Sequence, residues 1–341
     1  MPKQVVHIQD SLDQRDYRRD YPRFPYEIGS LRFSIDDAAR ADWLAAASDF
    51  AQPFDTTVPW ERRILYMREP SGYFPPEFVN QFGHLVSPPA ITGYRGRRHL
   101  SHPAIPAYFG RGHQKDPGWD LDYEALVALV PPEKRNAISV VMTTKTSLPG
   151  HRRRLRFLRR LQRALGNRLE VFGRGFRVVT EKAEVILPCQ YHLVLENTIM
   201  PAYWTEKLAD AYLGYAFPIV SGPPDLNRWF SPDSFEAIDI SEPDAAIERI
   251  LHVMDNDTYH QRIDAVRRAR DKLMHEERLC HVLARVITAE PNSAPGLTVP
   301  ETLFPVPRLG GLPRIRREIV RSYWRIDDRI RSLLMPGNRP R

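Results

Sequence analysis

The chain has 341 residues, 42% of them hydrophobic and 27% charged, which is the balance of a soluble globular protein with room for two ordinary domains. The two cysteines, Cys189 and Cys280, give no disulfide framework. The charged N-terminus does not resemble a secretory signal, and no apolar run is long enough to cross a bilayer. We therefore expect a cytoplasmic protein. The net charge of +7 resides from Arg308 onward, and the neutral remainder argues against a nucleic-acid-binding body.

The first series of predicted elements occupies residues 1–135. It contains the strands "RFSID" and "DWLAAASDF", which we take as a pair, then "RRILYM", which ends at Glu69 and a proline-rich loop, and a further strand in "HLVSPPAITGYRG". The apolar spacing in "DYEALVALVPPEKR" predicts a helix that the two prolines stop. A domain boundary is expected in the "PPEKRN" segment.

The second series, residues 136–305, alternates strand and helix. Its strands are "AISVVMT", "LEVFG", "YHLVL" and "FPIVSG"; its helices are "HRRRLRFLRRLQRAL", "EKLADAYLGYA", "PDAAIERILHVMD" and "DTYHQRIDAVRRARDKLMHEERLCHVLARVI", with "AEVILPC" as a short helix or turn. This alternation predicts parallel sheets built from βαβ units. Two such series predict an α/β fold of two Rossmann-like halves with a cleft between them.

The segment "ENTIMPAYWTEK", residues 196–207, lies between a buried strand and a helix, on the side of a parallel sheet where ligands collect. Thr205 stands where an N-cap belongs, which puts Glu206 and Lys207 in the first helical turn. The free N–H groups there, together with the Lys207 cation, suit a phosphate, and Glu206 suits the hydroxyls of a ribose. Alternatively, Glu206 is only a favourable first-turn acid and Lys207 a solvated side chain.

The wider block "YHLVLENTIMPAYWTEKLADAYLGYAFPIVSGPPDLNRWFSPDSFEAIDI" resembles the donor-site block of the α-1,3-fucosyltransferases. That family's pattern is an apolar strand, E-N, Y-x-T-E-K, a helix, P-[IV]-x-x-G-x-P, and then F-x-P-x-S-F followed by an acid. A weaker, collinear resemblance extends over residues 30–260. It implies the GT-B fold, in which two Rossmann-like domains face each other.

The resemblance also implies an activity: inverting transfer of L-fucose from GDP-fucose to a hydroxyl of a glycan acceptor, with an α-1,3-type linkage. Glu69 matches the family's catalytic glutamate by position and is the candidate general base, a role that a partly desolvated carboxylate can fill near neutral pH. Glu61 and Glu77 lie nearby as competitors. Two alternatives remain open: a GT-B transferase that uses another GDP-sugar, and a non-catalytic nucleotide-sugar or nucleic-acid binding protein.

Further donor contacts follow from the same resemblance. Arg154, at the family's Arg-x-x-Phe spacing, is expected to bind the pyrophosphate, although Arg152 and Arg153 blur the register. The remaining candidates are a nucleotide contact at Tyr203, a polar donor contact at Asn197, and a fucose hydrogen bond or loop brace at Glu196; for Asn197 and Tyr203 the alternatives are turn stabilisation and packing.

No obligatory metal is expected, because the histidines lack metal-ligand spacing, although Mn²⁺ or Mg²⁺ would assist a departing diphosphate. Gly173 and Gly175 in "VFGRGF" indicate a turn more than a phosphate loop. The acids of "DLD", residues 120–122, resemble a metal-binding pair but are better explained by helix capping.

Residues 306–341 form a predicted basic amphipathic tail. One helical face would be apolar and the remainder rich in arginine; the apolar face comprises Ile315, Ile319, Tyr323, Ile326, Ile330 and Leu333. Such a helix suits an anionic membrane surface, which would place the protein peripherally at the inner face of the cytoplasmic membrane. It equally suits docking on the body of the protein or on a second subunit in a homodimer.

Overall fold

The computed structural model describes residues 2–12, 14–48, 50–68, 74–88, 91, 93–113, 116–146, 149–290 and 299–305. Its helices are α1 Gln14–Asp20, α2 Pro76–Val79, α3 Tyr123–Ala128, α4 Pro149–Leu165, α5 Ala183–Ile186, α6 Glu206–Leu213, α7 Pro243–Asp255, α8 Thr258–His275 and α9 Leu279–Thr288. Its strands are β1 Gln4–Gln9, β2 Tyr26–Ile28, β3 Leu31–Ser34, β4 Trp43–Ala47, β5 Phe54–Thr56, β6 Arg63–Tyr66, β7 His84–Ser87, β8 Arg97–Leu100, β9 Arg111–His113, β10 Asp116–Asp120, β11 Arg135–Val141, β12 Leu169–Phe172, β13 Cys189–Leu195, β14 Phe217–Ser221, β15 Glu236–Ala237 and β16 Glu301–Leu303.

The N-terminal sheet has seven strands in the order β2-β3-β1-β4-β6-β7-β8. All neighbours are parallel except β2 and β3, which are antiparallel. The two strands predicted as a pair are both present, as β3 and β4, but β1 lies between them. The sequence "QVVHIQ" was missed because it is short and set in a charged N-terminus; its burial depends on the strands on either side of it.

The second sheet has five parallel strands in the order β12-β11-β13-β14-β15. Its central strand β13 is buried along its whole length, as parallel strands covered on both faces are. The predicted amphipathic helix is α4, whose leucines at 155, 158, 161 and 165 all face the core. The predicted short helix or turn is α5. The α/β fold class with two Rossmann-like halves is thereby confirmed.

The chain returns to the N-terminal half near its described end. The long helix predicted after residue 257 is two helices, α8 and α9, with Arg278 in extended conformation before α9. Helix α9 packs into one core cluster with β1, β4 and β6, and β16 pairs with β5. The last helix of the 136–305 segment therefore packs against the N-terminal sheet, and its last strand forms a separate two-stranded sheet with β5. The spacing of apolar residues along the sequence does not predict that α9 packs against the first sheet.

The segment around Phe109 joins the halves in the other direction. The Asp210 carboxylate in α6 accepts hydrogen bonds from the Tyr108 and Phe109 backbone N–H groups at 2.7 and 2.8 Å, and Arg19 in α1 donates to the Phe109 carbonyl at 2.6 Å.

Among the described residues, no helix is both long and apolar enough to span a membrane. The tail expected at 306–341 lies outside the described residues.

Candidate functional site

The strand order of the second sheet has a switch point between β11 and β13. From β11 the chain passes through α4 to β12 on one side, whereas from β13 it passes through α6 to β14 on the other. Where neighbouring parallel strands lead away in opposite directions, a crevice opens beyond their carboxyl ends, and ligands of open α/β sheets bind there. The segment 196–207 starts at this crevice, directly after β13.

Thr205 is the N-cap of α6, as predicted from the sequence. Its hydroxyl accepts a hydrogen bond from the Lys207 N–H at 3.4 Å. Its own N–H and hydroxyl both donate to one carboxylate oxygen of Glu196, at 3.0 and 2.6 Å. Glu196 is 2% exposed. The carboxylate that ends β13 therefore fixes the start of the next helix.

The Lys207 ammonium lies between two carboxylates. Its Nζ contacts Glu196 Oε2 at 3.1 Å, Glu206 Oε1 at 3.2 Å and the Thr205 hydroxyl at 3.0 Å, so each of its three N–H donors has an acceptor. The side chain keeps 20% exposure. A cation held in this way is positioned by its neighbours and is still open to solvent on one side.

The charges of this cluster follow from burial and proximity. Burial raises the pKa of Glu196, with Lys207 opposing the rise. For Glu206, burial acts upward, but the cations of Lys207 and Lys182 hold its pKa below the ordinary value. Burial would lower the pKa of Lys207, but the carboxylates of Glu196 and Glu206 raise it. Lys207 is thus a permanent cation beside an ionised Glu206.

Arg154 is the arginine of α4 that faces this cluster. It is buried, its Nη1 donates to the Leu195 carbonyl at 3.0 Å, and burial lowers its pKa while the nearby Glu196 opposes the shift. Arg152 is exposed and donates to the Thr146 carbonyl, and Arg153 is only partly buried. The structure brings Arg154 to the end of β13 and Arg152 to the surface. The pyrophosphate contact of Arg154 stays a prediction.

Five buried polar atoms from α4, the 196–207 segment and the end of β14 have no hydrogen-bond partner among the described residues. They are Nε of Arg153, Nε of Arg154, Oδ1 of Asn197, Nε1 of Trp204 and Oγ of Ser221. Asn197 follows β13, and Ser221 ends β14, where its carbonyl accepts from the Glu196 N–H at 2.9 Å. Buried polar groups in folded proteins are almost always paired. Because these unpaired atoms lie near the switch point, they are available for hydrogen bonds to a polar ligand bound there.

Gly150, in the first turn of α4, lies directly against this loop. A Cβ atom there would stand 2.2 Å from the Asn197 carbonyl oxygen, too close for any side chain. We expect Gly150→Ala to displace Asn197 and to lower the affinity for GDP about tenfold, the cost of one lost hydrogen bond to a charged ligand. Titration calorimetry with GDP measures the change.

Gly29→Ala is the matched control for Gly150→Ala. Gly29 has open space around its Cβ position but a φ of +55°, so its substitution costs stability without touching the loop. It should lower the melting temperature and leave GDP affinity unchanged. Unchanged GDP affinity in Gly150→Ala would contradict the assignment of Asn197 to the ligand site.

The loop between β13 and α6 is held by several residues, and the sequence singled out only Tyr203 among them. Ala202 has a left-handed backbone with φ +62°, and its N–H donates to Asp225 Oδ1 at 2.8 Å. Tyr203 is buried, next to this turn. Lys182 forms an ion pair with Asp210 beside the start of α6. Of the residues not singled out, Asp225 had a sequence cue, since it follows the P-[IV]-x-x-G-x-P pattern.

At the carboxyl edge of the N-terminal sheet, Asp10 follows β1 and Arg68 follows β6. The Asp10 side chain is fully buried and accepts hydrogen bonds from Tyr17 Oη at 2.7 Å, Tyr66 Oη at 2.6 Å and Arg68 Nη2 at 2.8 Å. All three donors reach the same carboxylate oxygen, Oδ2, so Asp10 ties the end of β6 to the end of β1.

Glu69, the predicted base, lies outside the described residues, immediately after Arg68. Of its competitors, Glu61 is exposed in the turn that precedes β6, at the amino edge of the sheet, away from the carboxyl edge where ligands collect. Glu77 is exposed in the first turn of α2. These positions weaken Glu61 as an alternative and leave the role of Glu69 a prediction.

Two weaker motifs have the structural explanations expected of them. Asp122 caps α3, accepting from the Ala125 N–H at 2.8 Å. Gly173 and Gly175 form a tight turn with φ of +113° and +90°, and a Cβ atom on Gly173 would meet the Met142 carbonyl at 2.1 Å. The capping and turn interpretations are both confirmed.

Comparison with known proteins finds a family model that matches the second half of the chain. Residues 131–292 match the family model for the C-terminal domain of glycosyltransferase family 10 (fucosyltransferase). The chain is 31% identical over 109 residues to the human 4-galactosyl-N-acetylglucosaminide 3-alpha-L-fucosyltransferase FUT6, a match that covers 30% of each chain. It is 37% identical over 76 residues to the alpha-(1,3)-fucosyltransferase FucT of Helicobacter pylori, covering 22% of this chain and 16% of that protein.

The matched segment spans less than a third of the length of these curated relatives, 30% for the human protein. Among solved structures, an alpha1,3-fucosyltransferase with GDP-fucose superposes with a TM-score of 0.46 at 18% identity, covering 77% of this chain and 81% of that one. The segment shared with the family contains every predicted donor-contact residue from Arg154 to Lys207.

Proposed function

We propose that the protein transfers L-fucose from GDP-fucose to a hydroxyl of a glycan acceptor, with inversion and an α-1,3-type linkage, because residues 131–292 match the C-terminal domain of glycosyltransferase family 10. The observation that carries the proposal is the Glu196–Thr205–Lys207 cluster at the switch point of a parallel sheet. This cluster combines a helix N-terminus, a cation and a carboxylate within one crevice.

Donor binding requires the cluster to exchange partners. Every N–H donor of Lys207 is already engaged, so contact with the diphosphate releases one carboxylate. Glu206 is the one to release, because it is the more exposed of the two and can accept hydrogen bonds from the ribose hydroxyls. Glu196 remains bound to Thr205 and keeps the helix start in place. Lys182, next to Glu206, offsets part of the added negative charge.

In the transfer step, the acceptor oxygen forms a bond to the anomeric carbon as the bond from that carbon to the diphosphate oxygen breaks. The electron pair leaves with GDP, and the acceptor proton passes to the Glu69 carboxylate. Attack from the face opposite the leaving group inverts the anomeric centre. The developing charge on GDP is stabilised by Lys207, the N–H groups of α6 and Arg154.

GDP release, measured with GDP-fucose and GDP-mannose and with and without candidate glycan acceptors, tests the function. Acceptor-dependent release from GDP-fucose alone is expected. Release from GDP-mannose instead would indicate another GDP-sugar transferase, and no release with any acceptor would indicate a binding protein. The anomeric proton of the product, compared with that of the donor by NMR, tests inversion. Added Mn²⁺ or Mg²⁺ should stimulate release without being required.

We also propose that the tail from residue 306 onward holds the enzyme at the inner, cytoplasmic face of an anionic membrane. Its support is compositional: ten arginines against three acids from Arg308 to the C-terminus, with the apolar positions on one helical face. Each cation near anionic headgroups contributes about 1 kcal/mol.

The full chain should therefore sediment with anionic vesicles, and a chain lacking residues 308–341 should stay in the supernatant, while neutral vesicles retain neither. Equal sedimentation of both chains would discard the membrane role. If the truncated chain instead changes from dimer to monomer in size-exclusion chromatography, the tail serves a subunit interface.

A further inference from the structure

A second cluster of reactive side chains lies in the N-terminal half. His84 in β7, His99 in β8 and Glu290 just after α9 place one nitrogen or carboxylate oxygen each within 4.8 Å of one another. The positions are far apart in sequence, which is why no metal-ligand spacing was apparent. His84 is the first residue of β7, so the cluster is at the amino edge of the sheet, opposite the carboxyl edge that holds Asp10.

The hydrogen bonds of His84 determine which of its nitrogens carries a lone pair. Its Nε2 is 2.8 Å from the Glu61 carbonyl oxygen, which can only accept, so Nε2 carries the proton. In the neutral ring, Nδ1 then presents a lone pair, and it points toward Nε2 of His99 at 3.1 Å. A backbone carbonyl that fixes the tautomer in this way is the usual support of a metal-binding histidine.

The distances between the three ligand atoms suit a small cation. Zn²⁺ bonds of about 2.0 Å meeting at the tetrahedral angle separate neighbouring ligand atoms by about 3.3 Å. The His84 Nδ1–His99 Nε2 distance is 3.1 Å and the His84 Nδ1–Glu290 Oε1 distance 3.8 Å. Shifts of a few tenths of an ångström would bring both to the coordinated value.

The Glu290 carboxylate is also held by a residue that is not one of the three ligands. Arg97 Nη1 donates to Glu290 Oε2, which leaves Oε1 on the side of His84. His84 is buried, with its ring centroid 5.8 Å from that of Trp43. Carboxylate ligands in proteins are commonly held by such a second hydrogen bond. The set of two imidazoles and one carboxylate is therefore positioned by groups other than the ligands themselves.

We propose that His84, His99 and Glu290 bind one divalent transition-metal ion, Zn²⁺ by ligand type, with water in the fourth position. The ion joins the β7–β8 edge of the N-terminal sheet to the segment that follows α9. Since α9 arrives from the second half of the chain, the metal fastens the crossing helix to the first half. Its role is structural and independent of the fucosyl-transfer proposal.

The test uses the untagged full chain, freed of metal with a chelator and exchanged into chelator-free buffer. Titration with Co²⁺, read from its visible absorption, should saturate at one ion per chain with the intense bands of tetrahedral coordination, and calorimetry with Zn²⁺ should give the same stoichiometry. Bound Zn²⁺ should raise the melting temperature in a concentration-dependent way.

His99→Ala and Glu290→Gln are the informative variants, because neither side chain is fully buried and the glutamine keeps an acceptor for Arg97. Each should lower Zn²⁺ affinity more than about tenfold, a loss that changes even in supporting residues can cause. His260→Ala removes an exposed histidine paired with Asp257 in the second half and should bind as the unmodified chain does.

The proposal is overturned if the unmodified chain binds no ion saturably. It is equally overturned if His99→Ala and Glu290→Gln bind Zn²⁺ as tightly as His260→Ala. In either case the three residues form only a hydrogen-bonded triad, with Glu290 paired to Arg97.

Discussion

Glu69→Gln is expected to bind GDP with unchanged affinity and to transfer fucose about 100-fold to 10,000-fold more slowly, the contribution typical of a general base. Glutamine keeps the size and polarity of the side chain but accepts no proton at neutral pH. Calorimetry with GDP and initial rates of acceptor-dependent GDP release measure the two quantities separately. Glu69 follows Arg68, which Asp10 anchors at the carboxyl edge of the N-terminal sheet.

Glu61→Gln and Glu77→Gln are the controls for this prediction. Both carboxylates are exposed and close to Glu69 in sequence, so each tests whether any nearby acid suffices. Both variants should retain transfer rates close to those of the unmodified chain. Near-normal turnover in Glu69→Gln would remove Glu69 from the mechanism, and a large loss in either control would reassign the base.

Lys207→Met is expected to abolish measurable donor binding and to destabilise the protein. The substitution leaves the buried Glu196 carboxylate without its cation and close to Glu206, and breaking a buried ion pair costs about 3–5 kcal/mol. The pKa of Glu196, already raised by burial, should rise further because Lys207 no longer opposes it. GDP calorimetry and thermal unfolding measure the two effects.

A double variant separates the ligand role of Lys207 from its structural role. Lys207→Met with Glu206→Gln removes the cation together with one of its acids, so part of the lost stability should return while GDP affinity stays low. Recovery of GDP affinity along with stability would show that Lys207 only holds the helix start. Lys3→Met, which breaks an exposed ion pair with Glu27, is the control and should change neither quantity by much.

The predicted donor cluster illustrates how far local sequence information reaches. Thr205 was recognisable as an N-cap because a hydroxyl before an amphipathic run is a local feature, and Glu206 and Lys207 followed from helix numbering alone. The strand before it was recognisable because a strand buried on both faces is continuously apolar. By contrast, the contact between Gly150 and the Asn197 carbonyl joins the start of α4 to the loop after β13, which are neighbours only because β11 and β13 are adjacent.

The sequence by itself determined the alternation of strands and helices and the start of α6, since each depends on residues within a few positions of one another. Only the tertiary structure decided that β1 separates β3 from β4, that α9 crosses back to the first sheet, and that His84, His99 and Glu290 meet. The physical reason is that strand order and helix docking are set by burial against distant partners. A periodic apolar face predicts that an element will be buried, but it does not identify the partner that covers it.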